Sequence, residues 1–324
     1  MRVGLRAVAG ALALAGIASC SVLERFSSGA AHQIFVSNPK DDTVSVLESH
    51  PSTTPATIAV SNGPAALAAH AAPAQLAVAN SAAKRVTFID PLRLDVVRSV
   101  DLRDIPEFLA FSGDGALLFA TLPKSKSVAV IDTLSGRVRD PVRLAQPPKR
   151  IAVSPDGHDL YVLQHTRSGG VAVIDARTGR LSGVLPTGAF PVDLGLSGDG
   201  RRLLTANFDD DTVTVIDTAT ARKIATWPVD TGLGLVVHPS KPIAYSIASF
   251  DGEVVVLDYD TGRVITALAT GEFPTHGAIT SDGRWLYVVN QRSNSVVKID
   301  TDRNDVVARF DVGREPADAV ILTR

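Results

Sequence analysis

Ionisable side chains recur immediately after a series of regularly spaced prolines. Lys149 and Arg150 follow one of these prolines, whereas Asp193, His276 and Asp318 each stand two places after another. A histidine near carboxylates can bind a metal or move a proton, and an arginine can hold an anionic group. The chemistry open to these residues depends on whether the fold brings distant parts of the chain together.

Three more residues belong to the same turns. Glu107 follows Pro106, while Phe190 and Phe273 each precede their prolines directly. If the turns converge on one axis, the charged residues line an opening and the two rings form its rim. The predicted site for a ligand or partner consists of His276, Asp193, Asp318, Arg150, Lys149, Glu107, Phe190 and Phe273. We assign no catalytic residue and no metal ligand from the sequence.

The elements that position these residues form a repeat. An acidic residue ends an alternating apolar segment at Glu48, Asp90, Asp132, Asp175, Asp217, Asp258 and Asp300, with spacings of 41 to 43 residues. The prolines keep the same register at Pro64, Pro106, Pro148, Pro191, Pro274 and Pro316, with Leu233 in the remaining place. Asp-Gly pairs such as "SPDG" add hairpin signals. Since the acidic residue recurs in every repeat, we interpret it as structural rather than catalytic.

Four short strands fit each repeat, and in the last copy they are predicted at about 274–281, 285–290, 295–300 and 305–312. Four-stranded units of about 40–45 residues are typical of β-propeller blades. We therefore predict an all-β, seven-bladed β-propeller with four antiparallel strands per blade. The first repeat segment of the chain matches the second strand of a blade and the last segment matches the first strand, so one blade should be built from both ends of the chain. Its innermost strand should be 317–323, and residues 34–60 should supply its other three strands.

The N-terminus resembles a bacterial lipoprotein signal. Arg2 and Arg6 precede an apolar segment that ends in small residues before Cys20, the only cysteine in the chain. We predict a signal peptide at 1–19, lipidation of Cys20, a linker at 20–31 and the propeller at 32–324. These features predict a protein of the bacterial cell envelope, on the periplasmic or outer surface, held to the membrane by a lipid alone.

Composition and missing motifs narrow the functional classes. A formal net charge of −2 and an aromatic content of 5% are unlike those of a nucleic-acid binder. The sequence contains no glycine-rich phosphate loop, no G-x-S-x-G elbow, no H-E-x-x-H pair and no C-x-x-C-H haem motif. We therefore predict no cofactor, and we expect binding rather than catalysis.

Short segments resemble the YVTN family of seven-bladed β-propeller repeat proteins. The matching segments are "LYVVN" (286–290), "LLTAN" (203–207), "QLAVAN" (75–80), "IFVSN" (34–38) and "LYVLQ" (160–164), each followed by a "VxVID"-like partner. The resemblance implies the propeller fold over the whole mature chain. It implies no single function, because related propellers include surface proteins, a periplasmic protein reported to bind DNA, sugar-lactone hydrolases and redox proteins linked to haem or quinone.

The preferred functional hypothesis is a monomeric binding scaffold that takes a protein or small polar ligand on the face where the central channel opens. Charges on that face are segregated by blade, which should orient a partner. The basic residues of blades 2–4 are Lys84, Arg85, Arg103, Lys124, Lys126, Lys149, Arg150 and Arg167; the acidic residues of blades 5 and 6 are Asp209, Asp210, Asp211, Asp230, Asp251, Glu253 and Glu272. The alternative is an enzyme or cofactor-handling propeller, lactonase-like or haem-related, that uses His276 with Asp193, Asp318 and Arg150 at the channel mouth.

Overall fold

The structure is a computed structural model that describes residues 32–48 and 55–323. All regular secondary structure in these residues is β-strand. These strands form seven antiparallel sheets of four strands each. The sheets follow one another around a ring, so the predicted all-β, seven-bladed β-propeller is confirmed. The predicted signal peptide, Cys20 and the linker lie outside the described residues.

The blades are numbered from the split one, and their strands run from the channel outward. Blade 1 contains β28 (Ala319–Thr323), β1 (His32–Asn38), β2 (Thr43–Glu48) and β3 (Ala56–Ala59). Blade 2 contains β4 (Pro64–Ala71), β5 (Ala74–Asn80), β6 (Arg85–Asp90) and β7 (Asp95–Asp101). Blade 3 contains β8 (Leu109–Phe111), β9 (Leu117–Leu122), β10 (Ser127–Asp132) and β11 (Val142–Arg143).

The other four blades are each continuous in sequence. Blade 4 contains β12 (Pro148–Val153), β13 (Asp159–Gln164), β14 (Val171–Asp175) and β15 (Leu181–Leu185). Blade 5 contains β16 (Pro191–Leu196), β17 (Arg202–Asn207), β18 (Thr212–Asp217) and β19 (Arg222–Pro228). Blade 6 contains β20 (Gly234–Val237), β21 (Ile243–Ala248), β22 (Glu253–Asp258) and β23 (Arg263–Ala269). Blade 7 contains β24 (Pro274–Ile279), β25 (Trp285–Asn290), β26 (Ser295–Asp300) and β27 (Asp305–Asp311).

Burial along the strands explains their composition. The two middle strands of a blade are buried on both faces, and they are rich in Val, Ile and Leu because each face packs on a neighbouring blade. The outermost strand is mostly exposed and mixes polar with apolar residues. Seven apolar clusters fill the seven spaces between adjacent blades. Because one of them joins Tyr287 of blade 7 to Ile34 of blade 1, the ring is closed.

The two ends of the propeller meet in blade 1, as predicted. Strand β28 pairs with β1 over five positions, including Ile321 with Ile34 and Val320 with Phe35. The pairing continues beyond the strand, since the Ser37 N–H donates to the Asp318 carbonyl at 3.0 Å. Closure removes two open strand edges, which would otherwise be available for aggregation.

The repeated Asp stabilises a turn in blades 2–7. In blade 4, Oδ1 of Asp175 accepts the backbone N–H groups of Arg177 at 3.1 Å and Thr178 at 2.6 Å. Asp90, Asp217, Asp258 and Asp300 accept equivalent N–H groups in their own blades. The contacts support the structural interpretation of this residue. No described residue belongs to a helix long and apolar enough to cross a membrane.

Candidate functional site at the channel mouth

The first residues of the innermost strands line a cavity of about 290 Å³ at one end of the central channel. Its lining residues are Ala65, Ala66, Ser81, Glu107, Phe108, Lys149, Arg150, Val192, Asp193, Leu233, Thr275, His276, Ala317 and Asp318. Most lie in the turns that the proline pattern singled out, so six of the predicted site residues share one cavity. Two features were missed. Ser81 comes from the loop between the second and third strands of blade 2, and Leu233, which stands in the place of the proline in blade 6, lines the cavity itself.

Arg150 connects three blades across the channel. Its Nε donates to Oδ1 of Asp193 at 2.8 Å, and its Nη2 lies 2.5 and 2.6 Å from Nδ1 and Nε2 of His276. The guanidinium also lies over the ring of Phe108, with its carbon 4.5 Å from the ring centre. Arg150 is thus held by a carboxylate, an imidazole and an aromatic face.

Asp193 is a buried carboxylate with a full set of partners. Its side chain is only 2% exposed, and its oxygens accept the backbone N–H groups of Leu194 at 2.8 Å and Leu235 at 2.9 Å. Burial opposes ionisation most strongly, but the Arg150 charge, the His276 ring and the Leu235 N–H together outweigh it. The pKa of Asp193 therefore lies below its ordinary value. Because Leu235 belongs to blade 6, Asp193 also connects blades 5 and 6.

Asp318 occupies the equivalent place in blade 1. Its Oδ2 accepts the N–H of Leu67 in blade 2 at 2.8 Å, while Oδ1 accepts the N–H of Ala319 at 3.0 Å. Nε2 of His276 lies 3.1 Å from the same Oδ1, and its Nδ1 lies 3.7 Å from Oδ2 of Asp193. The two carboxylates therefore flank the imidazole and also join adjacent blades. We call Arg150, Asp193, His276 and Asp318 the hub cluster.

The hub cluster lies at the inner end of the cavity. A second cavity of about 310 Å³ lies farther along the channel, where Leu67, Phe111 and Ile151 contribute to its wall. Arg150, His276 and Asp318 line both cavities. Since these side chains border both spaces, the hub cluster is the floor of the outer cavity.

Glu107 and Lys149 lie on the cavity wall without a direct partner in the part of the chain that is described. Neither side chain makes an ion pair or hydrogen bond there. Burial raises the pKa of Glu107, against the opposing effect of the Lys149 charge. Burial likewise lowers the pKa of Lys149, although Glu107 and Asp193 act in the other direction. Glu107 is exposed and Lys149 is half-buried, so the cavity presents one acidic and one basic group that are available to a ligand.

Phe190 and Phe273 do not line this cavity. Both have a left-handed backbone, with φ values of 45° and 54°. The Phe190 ring lies 5.5 Å from the ring of His165, and the Phe273 ring lies 5.6 Å from that of Phe250. Their position beside the prolines was correctly read from the sequence, but the direction of the rings was not.

Metal binding finds no support in the described geometry. No group of three or more His, Cys, Asp or Glu residues in residues 32–48 and 55–323 is arranged to hold an ion. His276 has two carboxylates nearby, but the Arg150 guanidinium faces both ring nitrogens. A metal at His276 would have to displace this cation.

Comparison with known proteins supports the propeller family. The model of the YncE-like β-propellers matches residues 2–133, about two fifths of the chain. The YncE proteins of Salmonella typhi and Salmonella typhimurium, both described as uncharacterized, are 26% identical over 118 residues. That match covers 36% of this chain and 33% of each relative, so the similarity spans about a third of those proteins.

A longer match is the beta subunit of hydrazine synthase from Kuenenia stuttgartiensis. It is 25% identical over 254 residues, which cover 67% of this chain and 59% of the subunit. A solved chain of Kuenenia hydrazine synthase superimposes with a TM-score of 0.77 at 20% identity, covering 83% of this chain and 92% of that one. A candidate 6-phosphogluconolactonase from Bacteroides fragilis gives 0.75 at 15% identity, covering 91% and 99%. At these identities, the solved structures establish the fold alone.

Proposed function

We propose that this protein is a lipid-anchored binding scaffold of the bacterial envelope, which takes a small polar ligand or a protein on its channel-opening face. The observation that carries the proposal is the pair Glu107 and Lys149, two opposite charges on the wall of the cavity that form no ion pair or side-chain hydrogen bond within the described residues. A ligand that supplies a donor to Glu107 and an acceptor to Lys149 would compensate both. Binding sites commonly combine apolar walls with a few such polar groups.

The rigid floor supports binding by preorganisation. Arg150 and Asp193 are already paired, and Asp193 is fixed by two backbone N–H groups. A ligand entering the cavity would therefore order few side chains, which lowers the entropic cost of binding. The cavity of about 290 Å³ lies at the lower end of the range typical of small-molecule sites.

Thermal unfolding in the presence of defined probes tests the ligand part of the proposal. Amino acids, dicarboxylates and monosaccharides would each be added to the mature chain. A ligand at 100 times its dissociation constant stabilises the folded state by about 2.7 kcal/mol. We expect at least one probe to raise the melting temperature of the wild type, and Glu107→Gln and Lys149→Met to abolish this shift. If no probe acts, or if the shift persists in both variants, the cavity is not the ligand site.

An enzymatic or cofactor-handling role is the second candidate, and the position of His276 favours it. The imidazole is 17% exposed, lines the cavity and lies 3.1 Å from Oδ1 of Asp318. A histidine beside a carboxylate can act as a general base. Hydrolysis of sugar lactones and the visible spectrum after incubation with haem should be compared between the wild type and His276→Gln. Turnover or a haem spectrum that depends on His276 would support this candidate over simple binding.

A further inference from the structure

A separate pocket lies on the channel-opening face, between the loops of blades 6 and 7. Its volume is about 260 Å³, and it shares no residue with the central cavity. Ser249, Phe250, Asp251 and Gly252 come from the loop between β21 and β22, and Gly271, Glu272 and Phe273 precede β24. Arg292, from the loop between β25 and β26, completes the lining. We call this set the aromatic pocket.

The rings of the aromatic pocket are exposed to an unusual degree. Phe250 is 69% exposed, although its ring meets that of Phe273 edge to face at 5.6 Å. On its other side, the ring of Phe208 lies 6.1 Å away and is 38% exposed. A contiguous apolar patch on a channel-opening face, surrounded by polar residues, is typical of an interaction surface.

The backbone of Phe273 adds to this pattern. Its φ of 54° lies in the left-handed region, which is unfavourable for a residue with a bulky side chain. Gly63 occupies the equivalent position before Pro64, with a φ of 69°. Glycine therefore adopts this conformation without strain before Pro64, whereas the same position before Pro274 is occupied by Phe273. Phe273, whose backbone has this unfavourable conformation, forms part of the pocket wall.

Carboxylates surround the rings. Asp251 and Glu272 line the pocket, both are exposed, and neither forms an ion pair within the described residues. Asp209, Asp210 and Asp211 follow Phe208 directly and are also exposed. Arg292 is the one cation in the lining, and its guanidinium carbon lies 4.5 Å from the centre of the Phe273 ring. The pocket and its surroundings therefore carry an excess of negative charge.

We propose that the aromatic pocket anchors a lysine or arginine side chain from a basic segment of a partner protein. The aliphatic part of such a side chain would cover the Phe250 ring, and its charged end would reach Asp251 or Glu272. Arg292 on Phe273 provides the same type of contact within this chain. An acidic partner would be repelled, and a purely apolar one would leave the carboxylates dehydrated without compensation.

This inference extends the proposed binding role from the central cavity to a rim site. The two can fail separately because they share no lining residue. Loss of the ligand-induced change in melting temperature in Glu107→Gln tests the central cavity. Loss of partner binding in a variant of the aromatic pocket tests the rim site.

Calorimetric titration with designed peptides tests the proposal on the mature chain. The probe is a twelve-residue peptide with three arginines among serine and leucine, and its two counterparts carry glutamate or norleucine at the arginine positions. We expect binding of the arginine peptide alone. Phe250→Ala and Asp251→Asn should each weaken binding roughly fivefold to tenfold, in line with a cation–π contact and a charge-assisted hydrogen bond. Phe273→Gly should weaken it similarly while suiting the backbone, so a folding defect is not expected.

Matched controls lie elsewhere on the propeller. Leu134→Ala removes an apolar side chain that is 87% exposed, and Asp260→Asn removes an exposed carboxylate in the turn before β23. Both should retain the wild-type affinity. Absence of binding at millimolar arginine peptide, equal binding of the norleucine peptide, or equal affinity in all variants would overturn the proposal. Association of this chain with itself that depends on Phe250 would also overturn it, because the occupant would then be a second copy.

Discussion

Replacement of Asp193 by alanine should destabilise the propeller more than any other single change in the hub cluster. The substitution removes the partner of Arg150 and leaves two buried N–H groups, of Leu194 and Leu235, without acceptors. Loss of one partner from a buried ion pair typically costs about 3–5 kcal/mol. Since folded domains are stable by only about 5–15 kcal/mol, the variant should unfold at a clearly lower urea concentration.

The same perturbation at Asp318 provides an internal comparison. Asp318 also accepts two backbone N–H groups, but it has no arginine partner. We expect Asp318→Ala to lower the free energy of unfolding by less, about 2–3 kcal/mol. The substitution removes the acceptor of two backbone N–H groups and the contact with His276, but it leaves no arginine without its carboxylate. Urea unfolding followed by circular dichroism would measure both, with Asp260→Ala as an exposed control. Equal losses at Asp193 and Asp318, or a loss below about 1 kcal/mol at Asp193, would refute the assigned importance of the Arg150 pair.

The pH dependence of stability supplies a second test at the same residue, with Asp193→Asn as the variant. The pKa of Asp193 is lower in the folded chain than its ordinary value, so the folded state binds fewer protons than the unfolded state near that pH. Its contribution to stability is fully present above the unfolded value of about 3.9 and is lost as the pH falls through the folded value. The difference between the wild type and Asp193→Asn should therefore be constant near neutrality and shrink in acid. A difference that grows in acid would contradict the sign of this shift.

Three further changes test closure, tethering and turn geometry. Deletion of 317–324 removes the strand that pairs with β1 over five positions, and loss of those ladder hydrogen bonds, at about 1 kcal/mol each, should abolish cooperative unfolding in circular dichroism. Cys20→Ser should move the protein from the membrane fraction to the soluble envelope fraction of the producing cell, as detected by immunoblotting. Gly283→Ala places a side chain at a φ of 76° and against the His238 ring, so it should cost about 2 kcal/mol or more in urea unfolding. An unchanged urea midpoint would exclude this constraint.

The sequence predicted the fold well because a propeller repeats its constraints. Each blade has the same alternation in its buried strands and an acidic residue after its third strand, and six of the seven have a proline before the innermost strand. Seven copies of a weak pattern at spacings of 41 to 43 residues make a strong signal. The split blade was also predictable, because an open ring would have left the edges of β1 and β28 unpaired.

Side-chain directions were less predictable than positions along the chain. Spacing placed Arg150, Asp193 and His276 near one axis, but nothing in the sequence indicated that Arg150 would contact both of the others across the channel. Phe273 packs its ring against Phe250 instead of lining the central cavity, and no motif signals that contact. In blade 6, Leu233 stands in the place of the proline and lines the cavity itself, which the repeat pattern did not predict.

The hub cluster shows how a repeated scaffold can acquire specific residues without losing its packing. At Asp193 and Asp318, a carboxylate accepts an N–H from the next blade, so each side chain contributes to the contact between blades. The same carboxylates contact His276 from opposite sides and define the floor of the cavity. Stability and site geometry are therefore coupled at these two residues, whereas Glu107 and Lys149 on the wall make no such contact in the described chain. Ligand specificity can consequently change at Glu107 and Lys149 with little effect on the ring, while the floor is restrained by the fold.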